Sequence, residues 1–347
     1  MRVKKEVICI LLMAMTMLLN ACSSDESGAQ TVTTGEEPVG KQVQLMTYAP
    51  YFTEKEAPRR APSGFTAYTP DKTTDMGIYM IKDGDLSYKE ERLRYASKWF
   101  AFFEAEADKD YTVYGYMPKI TGMSSSLSSV TSDGATLTIN GIKPVTADDI
   151  CIITGVKETD TGLKEGQFHW FMANANDNFY MYLLMDHLYA SVKFSLIVSE
   201  EYAQLRTIKL KTMTLKTDKA SVDAQVTLTH NTDGTSPITS VTYNTSTGDN
   251  CAAEIFNNAE GQALSSTTPI AVSACFAPTL SGNLTLFSTY DVYDSKGNLI
   301  RANCEATNKI PNLEASRGQR VQLNMKVDPT YLYVMSDKDL DNLFTIE

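Results

Sequence analysis

The residues able to do chemistry are few, and most would act on the chain itself. Leu19-Asn20-Ala21-Cys22 closes an apolar run from Val7 to Leu19 that starts behind Arg2, Lys4 and Lys5. Such a run is too short to cross a bilayer and suits a secretory leader. Small Ala21 offers a point of cleavage and Cys22 offers a thiol to carry lipid, the pattern of a lipobox. We therefore read residues 1–21 as a lipoprotein signal peptide and Cys22 as the lipidation site; a plain signal peptide with an incidental cysteine is the alternative. Each buried acyl CH2 contributes about 0.8 kcal/mol, so several acyl chains on Cys22 would anchor durably.

A second reactive point is the dibasic pair Arg59-Arg60, in a charged stretch from Glu54 to Ser63 that also holds Pro58 and Pro62. Prolines and charges make this an exposed, extended loop that a protease can reach. Cleavage after Arg60 leaves Ala61 as the new N terminus. Cleavage after Arg59 is the alternative, because Pro58 and Pro62 hinder some proteases.

Side-chain catalysis finds little support, and the chain reads as not an enzyme. Its three histidines are His169, His187 and His230, and none stands in a metal-spaced pair such as H-E-x-x-H. Asp186-His187 lies in an apolar stretch, where a satisfied structural imidazole is the expectation over a catalytic dyad. No G-x-S-x-G, phosphate-cradling glycine loop or dinucleotide fingerprint is present. Asp337, Asp339 and Asp341 imitate the start of a calcium loop, but Asn342 stands where that loop needs glycine and the chain stops at Glu347, before the final carboxylate. A polar turn is the better reading there, and no cofactor and no metal is expected.

The chain has 347 residues and a formal net charge of -11; a leader carrying three basic residues and one acidic one leaves 28 basic against 41 acidic residues. That balance argues against nucleic acid as a partner. Beyond the leader and Cys22 the cysteines are Cys151, Cys251, Cys275 and Cys304. An exported protein could pair them, and unpaired buried thiols are an equal reading. The 18 tyrosines and 13 phenylalanines could form a carbohydrate platform, although in β-proteins they more often serve as cross-strand partners.

The elements that position these residues are mostly strands. Residues 22–42, rich in Ser, Gly, Thr and Glu, form a tether. Val43 to Tyr48 is a first strand. Val113 and Tyr111 alternate with Tyr114 and Tyr116; Ala135, Leu137 and Ile139 with polar neighbours; Val222, Ala224, Val226 and Leu228 likewise. Leu284 to Tyr293 and Leu299-Ile300 flank the turn Asp294-Ser295-Lys296-Gly297-Asn298 as a hairpin. Trp99 to Phe103 fits a strand slightly better than a helix, and Phe179 to Tyr189 is ambiguous. Length allows two domains. The fold expected is all-β, two tandem antiparallel β-sandwich domains, residues 43–187 (with 43–60 as a propeptide strand) and 188–347 (with a tail from 328).

Together the lipobox, Tyr111-Thr112-Val113-Tyr114-Gly115-Tyr116-Met117-Pro118, Asp148-Asp149-Ile150-Cys151-Ile152-Ile153-Thr154-Gly155, His187-Leu188-Tyr189-Ala190-Ser191-Val192-Lys193-Phe194 and the ending Asp328-Pro329-Thr330-Tyr331-Leu332-Tyr333-Val334-Met335-Ser336-Asp337 resemble the Bacteroidetes fimbrillin family of type V pilus subunits. The acidic Ser23-Ser24-Asp25-Glu26 likewise resembles the surface-export tag of lipoproteins from that phylum. The resemblance implies transthyretin-like sandwiches, export to the cell outer membrane and trimming by an arginine-specific surface protease. It further implies donor-strand exchange, in which a neighbouring subunit's C-terminal strand fills the vacated groove. The implied partners are other fimbrial subunits, that protease, the lipid anchor before processing, and a host or bacterial surface receptor.

The residues make such an exchange physically reasonable. A sandwich that loses Val43 to Tyr48 exposes backbone edges and an apolar trough, a template for another extended segment. Val321, Leu323, Met325 and Val327 form the last intrinsic strand, and beyond Asp328-Pro329 the tail places Tyr331, Tyr333, Met335, Leu340, Leu343, Phe344 and Ile346 as donor-strand residues. Burying four such side chains contributes about 6–12 kcal/mol before ordering costs. Repeated head to tail, the contact builds an open filament. The function expected is a structural subunit of an adhesive fimbria. A fimbrial anchor or tip subunit, and a glycan-binding surface lipoprotein that does not polymerise, are the alternatives.

Overall fold

Apolar alternation at period two becomes strand almost wherever it occurs. The computed structural model describes residues 41–55, 65–67, 75–82, 88–94, 99–103, 111–157, 171–172, 180–230, 236–280, 282–311 and 313–327. Among them the strands, in chain order, are β1 Lys41–Pro50, β2 Thr53–Glu54, β3 Phe65–Ala67, β4 Asp75–Lys82, β5 Glu91–Arg94, β6 Trp99–Phe103 and β7 Tyr111–Met117. Next come β8 Ser124–Thr131, β9 Gly134–Ile142, β10 Val145–Thr146, β11 Cys151–Lys157, β12 Phe171–Met172, β13 Tyr180–His187 and β14 Ala190–Val198. The long β15 Arg206–Thr229 and β16 Ile238–Ala263 follow, then β17 Ile270–Phe276, β18 Leu284–Asp294, β19 Leu299–Ile310 and β20 Gln319–Val327. Among the described residues one short α-helix, α1 Glu200–Leu205, starts at Ser199, whose hydroxyl accepts the Tyr202 N–H at 3.3 Å. A serine cap with Glu200 and Glu201 in the first turn suits a helix start.

The strands form three sheets. The first runs β3-β1-β13-β11-β7-β4-β5, with β6 also on β1 and β12 on β7. The second runs β10-β17-β14-β20-β2, and the third β19-β18-β15-β9-β8 with β16 along β15. Segments from both sides of residue 187 share sheets: β9 pairs with β15, β10 with β17, and β2 with β20.

An all-β fold is what the patterning predicts, but purely antiparallel sheets are not what forms. β1 runs parallel to β13, β14 parallel to β20, and β2 parallel to β20. The reason is that alternation is the same in either direction. Only short hairpins force antiparallel pairing, and these three pairs are joined by long crossovers.

The main core gathers Val192, Phe194 and Val272 from the second sheet with Leu137, Val226 and Leu286 from the third. Tyr114, Tyr116 and Ile152, from one face of the first sheet, join it. The opposite face of that sheet buries Met76, Ile78, Val113, Met117, Ile153 and Met185 as a separate cluster. The first sheet is therefore apolar on both sides, and its central strands β4, β11 and β13 read as nearly continuous apolar runs. This explains why the stretch before His187 looks ambiguous in sequence yet folds as β13.

Candidate functional site: the seat of the leading strand

The leading strand is held inside the first sheet. The expectation for Val43 to Tyr48 is met by β1, whose backbone pairs Gln44 through Tyr48 with Tyr180 through Leu184 of β13. On its other edge β1 pairs with β6 from Lys41 to Leu45 and with β3 from Tyr48 to Pro50. Its burial alternates toward the end: Thr47 and Ala49 are buried, whereas Met46 is 44% exposed. The Tyr48 ring lies 6.2 Å from that of Tyr182 across the parallel pair.

After Pro50 the chain leaves the first sheet and straps onto the second. The Thr53 N–H donates to the Gly318 carbonyl at 2.9 Å, and the Lys55 N–H to the Arg320 carbonyl at 2.9 Å. Lys55 Nζ reaches the Glu314 carbonyl at 2.5 Å, and Glu54 pairs with Arg320 at 3.8 Å. Between the two sheets Phe52 stacks on His187, centroids 3.8 Å apart at 17°. The Arg320 guanidinium lies 5.0 Å from the centre of the Phe52 ring. Such cation–π contacts contribute about 0.5–1 kcal/mol where exposed and more when dry.

His187 is the hinge pin of this arrangement. It ends β13 directly opposite Cys151, the first residue of β11, so both side chains stand on one face of the pair. Its Nδ1 lies 2.6 Å from Asp149 Oδ2, and its Nε2 lies 2.9 Å from the Pro50 carbonyl. Cys151 Sγ donates to the same Asp149 oxygen at 3.0 Å. Burial, with the Asp149 carboxylate next in importance, pushes the Cys151 and Cys275 thiols well above the ordinary thiol value. All four described cysteines are free.

Asp186 does not form a dyad with His187. Its Oδ1 accepts the backbone N–H of His187 at 2.7 Å, and its Oδ2 pairs with Arg317 at 2.7 Å. Arg317 also donates to the His187 carbonyl at 2.9 Å, fastening the turn before β20 to the end of β13. The expectation of a satisfied imidazole thus holds, but through Asp149 and Pro50. His230, the other described histidine, lies 2.7 Å from the Tyr114 hydroxyl and 2.8 Å from the Ser132 carbonyl.

The sequence-predicted site residues Cys22, Arg59, Arg60, Ala61, Tyr331, Tyr333, Met335, Leu340, Leu343, Phe344 and Ile346 lie outside the described residues, as do His169 and the aspartates from Asp337 to Asp341. The clustering of Asp149 and Cys151 with His187 escapes sequence reading, because the antiparallel register of β11 and β13 brings them together. The local Asp149-Ile150-Cys151 spacing at a strand start was its only trace.

No protein-family model and no curated protein matches this sequence. Solved structures similar to it include a fimbrial protein from Bacteroides vulgatus, at 12% identity and TM-score 0.42, covering 83% of this chain and 95% of that one. Another is a fimbrial protein from Bacteroides ovatus, at 10% identity and TM-score 0.34, covering 84% of this chain and 51% of that one. A third is the fimbrial anchor protein Mfa2 from Porphyromonas gingivalis, at 8% identity and TM-score 0.20, covering 82% and 90%. At these values no residue-by-residue correspondence is drawn.

Proposed function

We propose that this chain is a structural subunit of a cell-surface adhesive fimbria. In this reading it is exported as a lipoprotein on Cys22, cut after Arg60, and polymerised by donor-strand exchange between tandem β-sandwiches. The observation that carries the reading is the placement of β1, an interior strand bonded on both edges, followed by a strap whose described bonds reach Lys55, four residues ahead of the Arg59-Arg60 pair in sequence. Removing everything up to Arg60 would uncover backbone N–H and C=O groups of β13 over Tyr180–Leu184 and free the β20 edge at Gln319 and Arg320. Unpaired edges of this kind recruit another extended segment. The apolar tail beyond Val327 supplies one from a second copy, and head-to-tail repetition gives a filament.

N-terminal sequencing of filaments sheared from cells tests the reading. A start at Ala61 supports it. In the Arg59→Ala, Arg60→Ala double variant, full-length lipoprotein without filaments is expected, and normal filaments in that variant would sink the processing step.

A further inference from the structure

We propose that Asp149, Cys151 and His187 form a binding site for a zinc-class divalent cation. The inference stands apart from the fimbrial reading. One carboxylate oxygen, one thiol sulfur and one imidazole nitrogen from these residues lie within 4.8 Å of one another. A zinc ion sits about 2.0–2.3 Å from oxygen, nitrogen and sulfur donors. It therefore fits among the three once Asp149 and His187 part slightly from their direct 2.6 Å contact.

Three further features suit a metal. The mixed donor set of O, N and S selects a borderline-soft cation over calcium or magnesium, which take oxygen alone. Thiolate and carboxylate together carry two negative charges, so a divalent ion leaves the buried site neutral. The His187 Nε2 faces the Pro50 carbonyl at 2.9 Å, the outer hydrogen bond that fixes a ligating imidazole and leaves Nδ1 for the metal.

Asp149 supplies an independent pointer. Its second oxygen, Oδ1, is buried and has no hydrogen-bond partner among the described residues. Buried carboxylate oxygens are normally paired, and a metal would account for this one by letting the carboxylate bind through both oxygens. On binding, the Cys151 thiol proton and the proton held between His187 Nδ1 and Asp149 Oδ2 both pass to solvent, and sulfur, nitrogen and oxygen each donate an electron pair to the metal; no redox step is involved.

Cobalt(II) is the probe, because thiolate coordination gives it a sulfur-to-metal charge-transfer band. The purified full chain, stripped with chelator and kept reduced, is titrated with Co2+. One equivalent developing that band, and losing it on addition of one equivalent of Zn2+, is the expected result. Cys151→Ser should abolish the band. His187→Gln and Asp149→Asn should each weaken zinc binding at least ~10-fold, the range reached even by outer-shell losses. No band in the wild-type chain, or a band that persists in Cys151→Ser, overturns the site. The wild-type titration decides the matter even if a variant fails to fold.

Discussion

His187 Nε2 meets the Pro50 carbonyl at 2.9 Å, so a side chain at the end of β13 holds the last residue of β1. The same imidazole carries the Phe52 ring on its face. One residue thus secures the leading segment where it crosses from the first sheet to the second. Weakening that junction should loosen the leading segment from β1 to Lys55 without unfolding the sheets behind it.

Phe52→Ala is the direct test. The substitution removes the stack on His187 and the Arg320 contact while leaving the backbone bonds of Thr53 and Lys55. Aromatic pairs contribute about 0.5–1.5 kcal/mol beyond area burial, and Phe52 is half-buried. A loss of about 2 kcal/mol is expected from the urea midpoint, with faster amide exchange in residues 46–55 than in β9. Unchanged exchange there would show that the ring does not hold the strap.

Gly318 should resist substitution for a backbone reason. Its φ is +72°, and a Cβ there would meet His187 Cδ2 at 3.6 Å, an ordinary contact. Gly318→Ala should therefore cost about 1–2 kcal/mol from left-handed strain alone. Gly318→Asn, which tolerates that region, should cost less; equal costs measured by thermal melting would point to a clash.

His230 gives the chain an acid sensitivity. Burial is the main reason its imidazole is held below the ordinary value of 6.5. The geometry fits a neutral ring, with Nδ1–H donating to the Ser132 carbonyl and Nε2 accepting from the Tyr114 hydroxyl. Because the folded value is depressed, the unfolded chain takes up the proton first as pH falls. The contribution is whole above about 6.5 and is lost as pH falls through the folded value. Denaturant midpoints measured from pH 7.5 down to pH 5 should fall less steeply for His230→Gln than for the wild type. Identical slopes would remove His230 from the account.

Core and surface positions should separate cleanly. Leu137 is fully buried between the second and third sheets, and Leu137→Ala should cost about 2–5 kcal/mol. Leu299 is 53% exposed at the start of β19, and Leu299→Ala should change stability by less than about 0.5 kcal/mol.

Much of this division was legible in the sequence. Val222, Ala224, Val226 and Leu228 alternate as written and all are buried. The turn from Asp294 to Asn298 forms because the Asp294 carboxylate accepts the N–H groups of Lys296 and Asn298 and Gly297 supplies a positive φ. Strand direction was not legible, since β1 and β13 would show the same pattern antiparallel. Nor was the contact of Asp149 and Cys151 with His187, which depends on a register set by packing on both faces of the first sheet. The reach of β15 across β16, β18 and β9 was hidden too, because no glycine or proline inside that strand marks where one partner gives way to the next.

The tail can be tested separately from the fold. β20 ends at Val327, which pairs with Val198, and the Val327 carbonyl accepts the Ser199 N–H at 2.8 Å. Val321, Leu323, Met325 and Val327 already pack on the main core. Deleting Tyr331 to Glu347 therefore leaves the last intrinsic strand and its anchor in place, and the truncated chain should melt within a few degrees of the full one. If the tail donates a strand to the next subunit, the truncated protein, once trimmed at Arg60, should stay monomeric by light scattering. It should also cap filaments when mixed with full-length subunits, because its own groove can still accept a tail. Unimpaired polymerisation of the truncated chain alone would place the donor elsewhere.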